Sequence, residues 1–470
     1  MTNIQMPKHA KVLIIGGGPA GSITASLLAQ EGIDVVVCEK EKFPRYHIGE
    51  SLLPSMLPIF EFIGLREELD NYGFEKKYGA RWKMKKDLPE ARTNFRSNPI
   101  YNYSYHVVRS EFDELLLNFS KKKGATVFQE TTITEILFED SKPVRARWKM
   151  KDGSTDTISF DFLIDASGLS GIMSNRYLKN RKQQPNLANV AICKYWKNFV
   201  YYRDAEGVEH PGEFVMNAIE DGSGWVWAIP LHNGTLSTGV VLSQGIYDKL
   251  VEQNLTLEQI YSEKINLTPL IKKLLDNATT DNDIKYWNDY SYFSEHYSGE
   301  NFRLVGDAAA FLDPLISTGV HIAAMGAIST AATVCAVIKN ECPPQSAAAF
   351  HDEYIRRLYS RYLLVVLSLY QQINQQEEIV LHGISGNMVQ SVFDQIQPML
   401  TGNFDMEYNQ MIPEQKSKTM ASFLKSLMEK ESYLKVVEKS TVLGEGFDQT
   451  SALNGYFINF KKGSLGLKKI

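Results

Sequence analysis

The feature that most constrains this fold is a glycine-rich turn that joins an apolar strand to a helix. Residues 12–15 are apolar β-forming residues, and they lead into the pattern G-x-G-x-x-G at residues 16–21. An amphipathic stretch follows, and a second, mainly apolar run at residues 33–38 stops at Glu39. Strand, turn, helix, strand and acid in this order form a βαβ unit that binds a dinucleotide. The chain is therefore expected to contain a Rossmann-like domain.

Each position of this motif has a physical role in holding a pyrophosphate. Gly16 permits the tight turn, Gly18 lets the backbone approach the phosphates, and Gly21 lets the helix pack closely on the strand. The helix N-terminus adds free N–H groups and the positive end of the helix dipole. Glu39 suits a ribose hydroxyl. A glycine motif alone can also be a simple turn, but here the expected contacts are Gly16, Gly17, Gly18, Ala20, Gly21 and Glu39.

Composition excludes several classes of function. The 470 residues have 44% hydrophobic and 22% charged side chains and a net charge of -5, which leaves no basic excess to hold nucleic acid. The four cysteines include no C-x-x-C pair, so neither a zinc site nor a disulfide framework is expected, and no metal is predicted. The polar N-terminus lacks the features of a signal peptide, so a cytoplasmic location is expected.

One apolar run could indicate a membrane helix. Residues 362–370 are almost entirely apolar or aromatic, but the run is far shorter than the ~20 residues that a membrane-spanning helix needs. A buried helix is the better interpretation, and a membrane-surface helix is the alternative. No stable membrane insertion is predicted.

A loop bracketed by prolines, residues 43–54, carries Arg45, His47 and Glu50. It is expected beside the carboxyl ends of the first strands, where ligands of open α/β sheets bind. A helix start is predicted near Ser51. The loop could instead be a plain connector.

Four further junctions place polar groups at strand or helix ends. Arg109 stands between a strand and an amphipathic helix, where an arginine is structural or holds a cofactor. Asp165 and Asp307 each end a short buried strand, the shape expected where a parallel sheet returns to a nucleotide. Thr318 and Gly319 lie at the start of a long helix of small residues, and the free N–H groups of such a start form an anion site.

Two extended segments contain side chains of uncertain role. In residues 73–84, at most one of Lys76 and Lys77 can face inward because strand residues alternate, and two solvated lysines are the simpler interpretation. Residues 185–245 have the period-2 pattern of an antiparallel sheet. Within them, Trp225 and Trp227 share one face of a strand, either as core or as part of a site.

Taken together, these motifs resemble the FAD-dependent monooxygenase and halogenase superfamily over residues 10 to about 345. The resemblance implies an α/β fold: a Rossmann-like FAD-binding domain, an antiparallel β-sheet substrate domain and a helical C-terminal cap. It also implies that Asp307 holds the ribityl chain and that Arg109 lies near the cofactor. The other residues then expected at the FAD are Arg45, Ile48, Glu50, Asp165, Gly306, Pro314 and Val320.

Three local motifs narrow the resemblance to flavin-dependent halogenases, and within them to the fungal type that acts on phenolic polyketides. Residues 225–230 have the form W-x-W-x-I-P, residues 45–51 are similar to a second signature, and residues 74–80 resemble the segment with the active-site lysine. The last match selects Lys77 over Lys76 as catalytic. By the same resemblance, Trp225, Trp227 and Pro230 shield the flavin and line a tunnel.

The resemblance implies a complete reaction. Reduced FAD comes from a separate flavin reductase and reacts with dioxygen, and a chloride or bromide on the N–H groups of Thr318 and Gly319 becomes hypohalous acid. This acid reaches Lys77, which holds it as a chloramine or by a hydrogen bond and halogenates an aromatic ring. The physical case for the halide site is independent, because backbone donors at a helix start favour an anion without a cation.

One difference from the halogenases that act on tryptophan constrains the substrate. Halogenases of tryptophan carry a glutamate before the Ser-Thr-Gly step, and this chain has Ile316 there. A small phenolic substrate is therefore favoured over tryptophan. An FAD-dependent aromatic hydroxylase, a prenyl-lipid reductase and a flavin-binding protein without catalysis are the alternatives.

The expected domains are discontinuous. Residues 1–75, 105–180 and 290–345 are assigned to FAD binding, residues 76–104 and 181–289 to the β-sheet substrate domain, and residues 346–470 to the helical C-terminal region.

Overall fold

Twenty strands and eleven helices are found in the part of the chain that the computed structural model describes, which is residues 5–98, 100–280, 283–376, 388–406 and 453–469. The strands are β1 (His9–Ile15), β2 (Val35–Cys38), β3 (Glu75–Lys77), β4 (Gly79–Lys83), β5 (Ala91–Asn94), β6 (Ser104–His106), β7 (Thr126–Phe128), β8 (Thr131–Glu139), β9 (Lys142–Met150), β10 (Thr155–Asp165), β11 (Arg181–Trp196), β12 (Glu213–Ala218), β13 (Gly224–Pro230), β14 (Leu236–Ser243), β15 (Lys285–Ser294), β16 (Ser298–Gly299), β17 (Phe302–Leu304), β18 (Ala310–Phe311), β19 (Tyr456–Asn459) and β20 (Gly466–Lys469). The helices are α1 (Pro19–Gln30), α2 (Met56–Ile63), α3 (Arg66–Tyr72), α4 (Arg109–Lys122), α5 (Gln244–Glu252), α6 (Leu257–Asn266), α7 (Pro269–Leu274), α8 (Gly319–Ile338), α9 (Pro344–Asn374), α10 (Met388–Leu400) and α11 (Asn403–Met406).

A mainly parallel sheet forms around the glycine-rich unit, in the order β16-β17-β10-β1-β2-β7. Strands β17, β10, β1, β2 and β7 are parallel, while β9 adds to β10 and β8 to β9 in antiparallel pairs. Every residue of β2 is buried, as expected for a parallel strand covered on both faces. The carboxyl ends of these strands face the candidate site.

The second sheet has the order β18-β15-β11-β14-β13-β12-β4-β5. Its pairs are antiparallel except for β12 with β4. Both faces of β12 and β13 are buried, which explains their aromatic and aliphatic composition. With the first sheet, it confirms the predicted fold class.

In the C-terminal region, the described residues up to 406 lie mainly in α9, α10 and α11, whereas residues 453–469 do not form a helix. Strands β19 and β20 form a hairpin that returns to α1 and α8. Glu31 at the end of α1 accepts hydrogen bonds from Gly463 N at 2.8 Å and from Lys339 Nζ at 2.9 Å. Four-residue strands leave too short a pattern to predict, so the sequence analysis missed the hairpin. Part of the predicted helical region, residues 407–452, lies outside the described residues.

One helix in the described ranges, Gly319–Ile338, is long and apolar enough to cross a membrane by length and composition. However, 89% of its apolar window is buried inside the protein, where α1 and α9 pack against it. The run at residues 362–370 belongs to α9 and is buried as well.

The predicted domain boundaries stay a prediction. The boundary between residues 75 and 76 falls within β3, and the boundary between residues 289 and 290 falls within β15. A domain division that follows the sheets would therefore move both points.

Candidate active site

A cavity of about 430 Å³ lies at the carboxyl ends of β1 and β2, within the size range of small-molecule sites. The structure brings most of the predicted site residues to its wall: Gly16, Gly18, Ala20, Glu39, Arg45, Ile48, Glu50, Arg109, Trp225, Trp227, Gly306, Asp307, Pro314, Thr318, Gly319 and Val320. Gly17, Gly21, Lys77, Asp165 and Pro230 are not part of this wall. The predicted flavin residues, halide residues and tryptophan pair thus line one space.

The glycine-rich turn has no room for side chains. A Cβ on Gly16, where φ is +104°, would lie 2.2 Å from the carbonyl oxygen of Ala166. A Cβ on Gly21 would lie 2.0 Å from the carbonyl oxygen of Gly16. Gly18 precedes α1 without a side-chain cap, and the first turn of α1 has no acid. The N–H groups of Gly16 and Gly17 are used within the protein, but those of Gly18, Ala20 and Gly21 are available to a phosphate, which fits the predicted FAD.

Glu39 both lines the cavity and supports the glycine-rich turn. Its Oε2 accepts a hydrogen bond from Gly17 N at 2.6 Å, and its Oε1 accepts one from Glu41 N at 2.8 Å. A carboxylate has about four acceptor positions, so capacity remains for a ribose hydroxyl. Gly17 is thus tied to the site through Glu39 rather than through the cavity wall.

A buried ion-pair cluster holds the loop that begins at the cis Phe43–Pro44 peptide. Asp113 accepts hydrogen bonds from Arg109 Nε at 2.9 Å and from Arg45 Nη1 at 3.0 Å. Burial alone would raise the pKa of Asp113, but the two arginines lower it overall. Arg109 also donates to the carbonyl of Gly49 at 3.2 Å. The sequence analysis missed Asp113, although its spacing of four residues from Arg109 on a helix was a usable signal.

Glu50 presents a buried carboxyl group to the cavity. It is 4% exposed, and its Oε1 accepts a hydrogen bond from Tyr195 at 2.7 Å. Burial raises its pKa, while Tyr195 and the neighbouring Ser237 act in the opposite direction. Its Oε2 has no hydrogen bond of acceptable geometry within the described ranges. A buried acceptor of this kind suits a donor on a bound ligand.

The turn before α8 opens onto the cavity. Ser317 has a left-handed backbone with φ of +58°, and Gly319 is the first residue of α8. A Cβ on Gly319 would meet no atom within 4 Å. Thr318 is fully buried, and its hydroxyl has no hydrogen-bond partner among the described residues. A small open space beside the free N–H groups of a helix start suits a halide ion.

The tryptophan pair forms another part of the wall. The ring centroids of Trp225 and Trp227 are 5.9 Å apart, and both side chains are buried. Trp227 packs against Gly239, where a Cβ would lie 2.1 Å from the indole ring. Pro230, at the end of the same strand, is buried but does not reach the cavity.

Lys77 and Lys76 have opposite environments, as the alternation of strand residues requires. Lys76 is partly exposed and pairs with Asp70 at 3.0 Å. Lys77 is 2% exposed, and its Nζ donates to Ser51 Oγ at 2.9 Å and to the carbonyl of Leu52 at 3.3 Å. Burial lowers the pKa of Lys77 to about 7, and the more distant Glu213 acts weakly against this.

The surroundings of Lys77 connect it to the cavity. Its Nζ lies 5.1 Å from the ring centroid of Phe95 and 5.3 Å from that of Phe214. No carboxylate of the described residues lies within 4 Å of it. Ser51 and Phe214 both line the cavity, so Lys77 stands directly behind the cavity wall.

The position of Ser51 differs from the prediction. It was expected at a helix start, but α2 begins five residues later, at Met56. Ser51 instead pairs with His106 in a β-bridge, and Leu52 N donates to the carbonyl of Tyr105 at 3.0 Å. Pairing with β6 keeps this segment extended and brings the Ser51 hydroxyl to Lys77.

Asp165 lies behind the cavity wall rather than in it. Its carboxylate accepts hydrogen bonds from Ser167 N at 3.0 Å and from Met173 N at 2.7 Å. Burial raises its pKa despite these bonds. Asp165 therefore shapes the turn at residues 166–168, and that turn lines the cavity.

Comparison with known proteins agrees with this geometry. The family model described as an FAD binding domain matches residues 9–358. The flavin-dependent halogenase ptaM of Pestalotiopsis fici is 37% identical over 99% of this chain and 96% of its own length. The sulochrin halogenase gedL of Aspergillus terreus is 41% identical over 86% of this chain and 79% of its own length.

A solved structure gives the same result. The myxobacterial chondrochloren halogenase CndH, an FAD-dependent halogenase, superimposes with a TM-score of 0.72 at 27% identity, covering 90% of this chain and 97% of its own. The predicted family and the FAD cofactor are confirmed by these matches. The chain therefore belongs to the flavin-dependent halogenases, enzymes that use reduced FAD.

Proposed function

We propose that this enzyme oxidises chloride or bromide beside the flavin and uses Lys77 to transfer the halogen to a phenolic, polyketide-derived ring. The observation that carries the proposal is the buried amine of Lys77, which donates a hydrogen bond to Ser51 on the cavity wall. A lysine without a nearby carboxylate is costly to bury, so its position calls for a functional reason.

The cofactor is held at the glycine-rich end of the cavity. The N–H groups at the start of α1, those of Gly18, Ala20 and Gly21, would bind the pyrophosphate, and Glu39 would bind a ribose hydroxyl. Arg45 and Arg109 fix the adjoining loop through Asp113. When bound, reduced FAD and dioxygen supply the two-electron oxidation of the halide. Flavin-dependent halogenases generally need a separate flavin reductase, and we propose such a partner here.

The halide would lie on the N–H groups of Thr318 and Gly319. These donors need no reorganisation to stabilise an anion, and they line the same cavity as the flavin residues. The indoles of Trp225 and Trp227 would restrict the space between this site and the substrate. An oxidised halogen could then pass while the aromatic substrate stays away from the flavin.

Lys77 would act on the hypohalous acid. Its neutral amine attacks the halogen, an N–Cl bond forms as the Cl–O bond breaks, and the amine proton leaves with the hydroxide as water. The aromatic carbon then takes the chlorine and loses its proton, which restores the amine. Lys77 could alternatively present the intact acid through a hydrogen bond.

The substrate proposal rests on the turn and on a relative. Ile316 is buried where an acid is expected in tryptophan halogenases, so no carboxylate is offered there to an indole. The relative gedL is named for its action on sulochrin. A free phenol is activated enough by its own hydroxyl to react with a halogen held by lysine.

A pair of neighbouring substitutions tests the role of Lys77. Lys77→Ala should lower halogenation at least ~100-fold, a typical loss for a catalytic group, while FAD binding and flavin oxidation continue. Lys76→Ala is the matched control and should stay close to wild type, since the partly exposed Lys76 contacts Asp70 and the Tyr103 ring and does not face Ser51. Product is measured by mass spectrometry with a phenol, bromide and a flavin reductase. The opposite order of effects would refute the assignment.

A further inference from the structure

A buried hydrogen-bond network joins the turn before α8 to one of the two indoles. Asp313 Oδ1 accepts a hydrogen bond from Leu315 N at 2.9 Å, within the turn that leads to Thr318. Asp313 Oδ2 accepts one from the Tyr370 hydroxyl at 3.0 Å. That same hydroxyl accepts a hydrogen bond from Trp225 Nε1 at 2.8 Å. One tyrosine of α9 therefore links the turn at residues 313–318, the proposed halide turn, to Trp225. Trp225 and Trp227 together form the tryptophan wall of the cavity.

The network is buried and includes a fourth side chain. Asn189 adds hydrogen bonds to Asp313 Oδ2 and to the Tyr370 hydroxyl, each at 2.9 Å. All four side chains are buried, with exposures from 1% for Trp225 to 8% for Tyr370. Asp313 and Trp225 line the flavin cavity, whereas Tyr370 stands behind them. In such a site, the loss of one member leaves its partners unsatisfied.

The arrangement is more specific than packing requires. The Trp225 indole has only one donor, and within the described chain its hydrogen bond goes to the Tyr370 hydroxyl. One oxygen of the Asp313 carboxylate accepts a hydrogen bond from the turn, and the other accepts one from Tyr370. A movement of the indole would therefore displace the turn, and a movement of the turn would displace the indole.

We propose that Asp313 and Tyr370 are positioning residues that fix the spacing between the halide site and the Trp225 indole. Their role is to keep the route of the hypohalous acid closed to solvent, so that each acid molecule formed reaches Lys77. This inference rests on the proposed function of Thr318, Gly319 and Lys77. It adds that the helix α9, outside both sheets, controls how efficiently halide oxidation is coupled to halogenation.

The test removes one hydroxyl group. Tyr370→Phe keeps the ring and deletes the hydrogen bonds that the hydroxyl makes with Asp313, Trp225 and Asn189. Tyr359→Phe is the matched control, because Tyr359 is a buried tyrosine of the same helix whose hydroxyl has no hydrogen-bond partner in the described ranges. With a flavin reductase, chloride and a phenol, three quantities are measured: flavin oxidised, halogenated product, and hypochlorous acid trapped by added taurine.

Tyr370→Phe should oxidise reduced flavin at the wild-type rate but yield about fivefold less product per flavin, the effect of roughly one hydrogen bond. Taurine chloramine should rise by the amount that the product loses. Tyr359→Phe should match wild type in all three quantities. Melting temperatures of both variants show that the protein remains folded.

Two results would overturn the inference alone. One is a wild-type product yield per flavin in Tyr370→Phe. The other is a parallel fall in flavin oxidation and product, which would mean that Tyr370 acts through folding or flavin binding. A wild-type protein that forms neither product nor trapped acid would overturn the proposed function, and this inference with it.

Discussion

At the scale of single residues, burial distinguishes Lys77, the proposed halogen carrier, from the partly exposed Lys76. Lys77 is enclosed by Phe95 and Phe214 and has Ser51 as its hydrogen-bond acceptor. Because the charged form loses its water, the pKa of Lys77 falls to about 7. A large part of its population is then neutral near physiological pH, and the neutral amine is the nucleophile.

This pKa leads to a prediction for the pH dependence of halogenation. Below pH 7 the amine is protonated, so the yield of halogenated product per flavin oxidised should fall about tenfold for each pH unit, and above pH 7 it should level off. Assaying an O-methylated phenol beside the free phenol removes the ionisation of the substrate itself. A profile that stays flat through pH 7 with the methylated substrate would show that Lys77 does not act as a free amine.

The sequence could predict Lys77 only in part. Strand alternation required that one of Lys76 and Lys77 face outward, and the family motif selected which one. The groups that surround Lys77 could not be predicted, since Ser51 and Phe214 are distant in sequence and meet it only through β3, β6 and the second sheet. Asp165 is the reverse case, because its place at a strand end suggested a cofactor contact, whereas its carboxylate lies behind the cavity wall and bonds to Ser167 N and Met173 N.

At the scale of secondary-structure elements, the backbone conformation at the start of α8 is held by residues of the preceding turn. The left-handed Ser317 and the Asp313 cap fix the turn, and Gly319 begins the helix beside open space. The proposed halide donors are backbone N–H groups, so side-chain changes that preserve the backbone should be tolerated.

Substitutions at this turn separate backbone from side-chain roles. Gly319→Pro removes one donor and should reduce halogenation at least ~100-fold, as the loss of an anion-stabilising donor does elsewhere, while FAD still binds. Thr318→Ser keeps the N–H group and should remain within about threefold of wild type, because the Thr318 hydroxyl has no partner in the described structure. Both variants are assayed against bromide concentration. Full halide use by a folded Gly319→Pro variant would place the anion elsewhere.

The elements themselves were predictable to different degrees. The glycine-rich unit and the helix after Thr318 were correctly predicted because each has a long apolar pattern with a clear start signal. The start of α2 was misplaced, since pairing of Ser51 with His106 overrides its local helix-start signal. The hairpin of β19 and β20 depends on contacts with α8 that a local pattern cannot report.

At the scale of the whole molecule, both sheets and the starts of α1 and α8 line a cavity that brings together the predicted flavin residues, the proposed halide turn and the two tryptophans. The α/β class followed from one motif, and the family followed from three. The cavity joins residues more than 300 positions apart, such as Gly16 and Thr318, so its closure is a property of the assembled fold.

The sequence contains one glycine-rich phosphate-binding βαβ unit, which the FAD would occupy. NADH alone should therefore not reduce the enzyme, and NADH should disappear only after a flavin reductase is added. The measurement is NADH absorbance with purified, FAD-loaded protein. Rapid NADH oxidation without a reductase would contradict a separate reductase partner.

The central claim is that reduced flavin and dioxygen oxidise a halide, and that the oxidised halogen is then transferred to a phenol. The most direct measurement supplies the purified enzyme with FAD, NADH, a flavin reductase, a free acylated resorcinol and chloride, and analyses the product by mass spectrometry. The account predicts a product with the chlorine isotope pattern that disappears when chloride is omitted or when Lys77→Ala replaces the wild type. An oxygenated phenol without halogen, formed equally well without chloride, would contradict it.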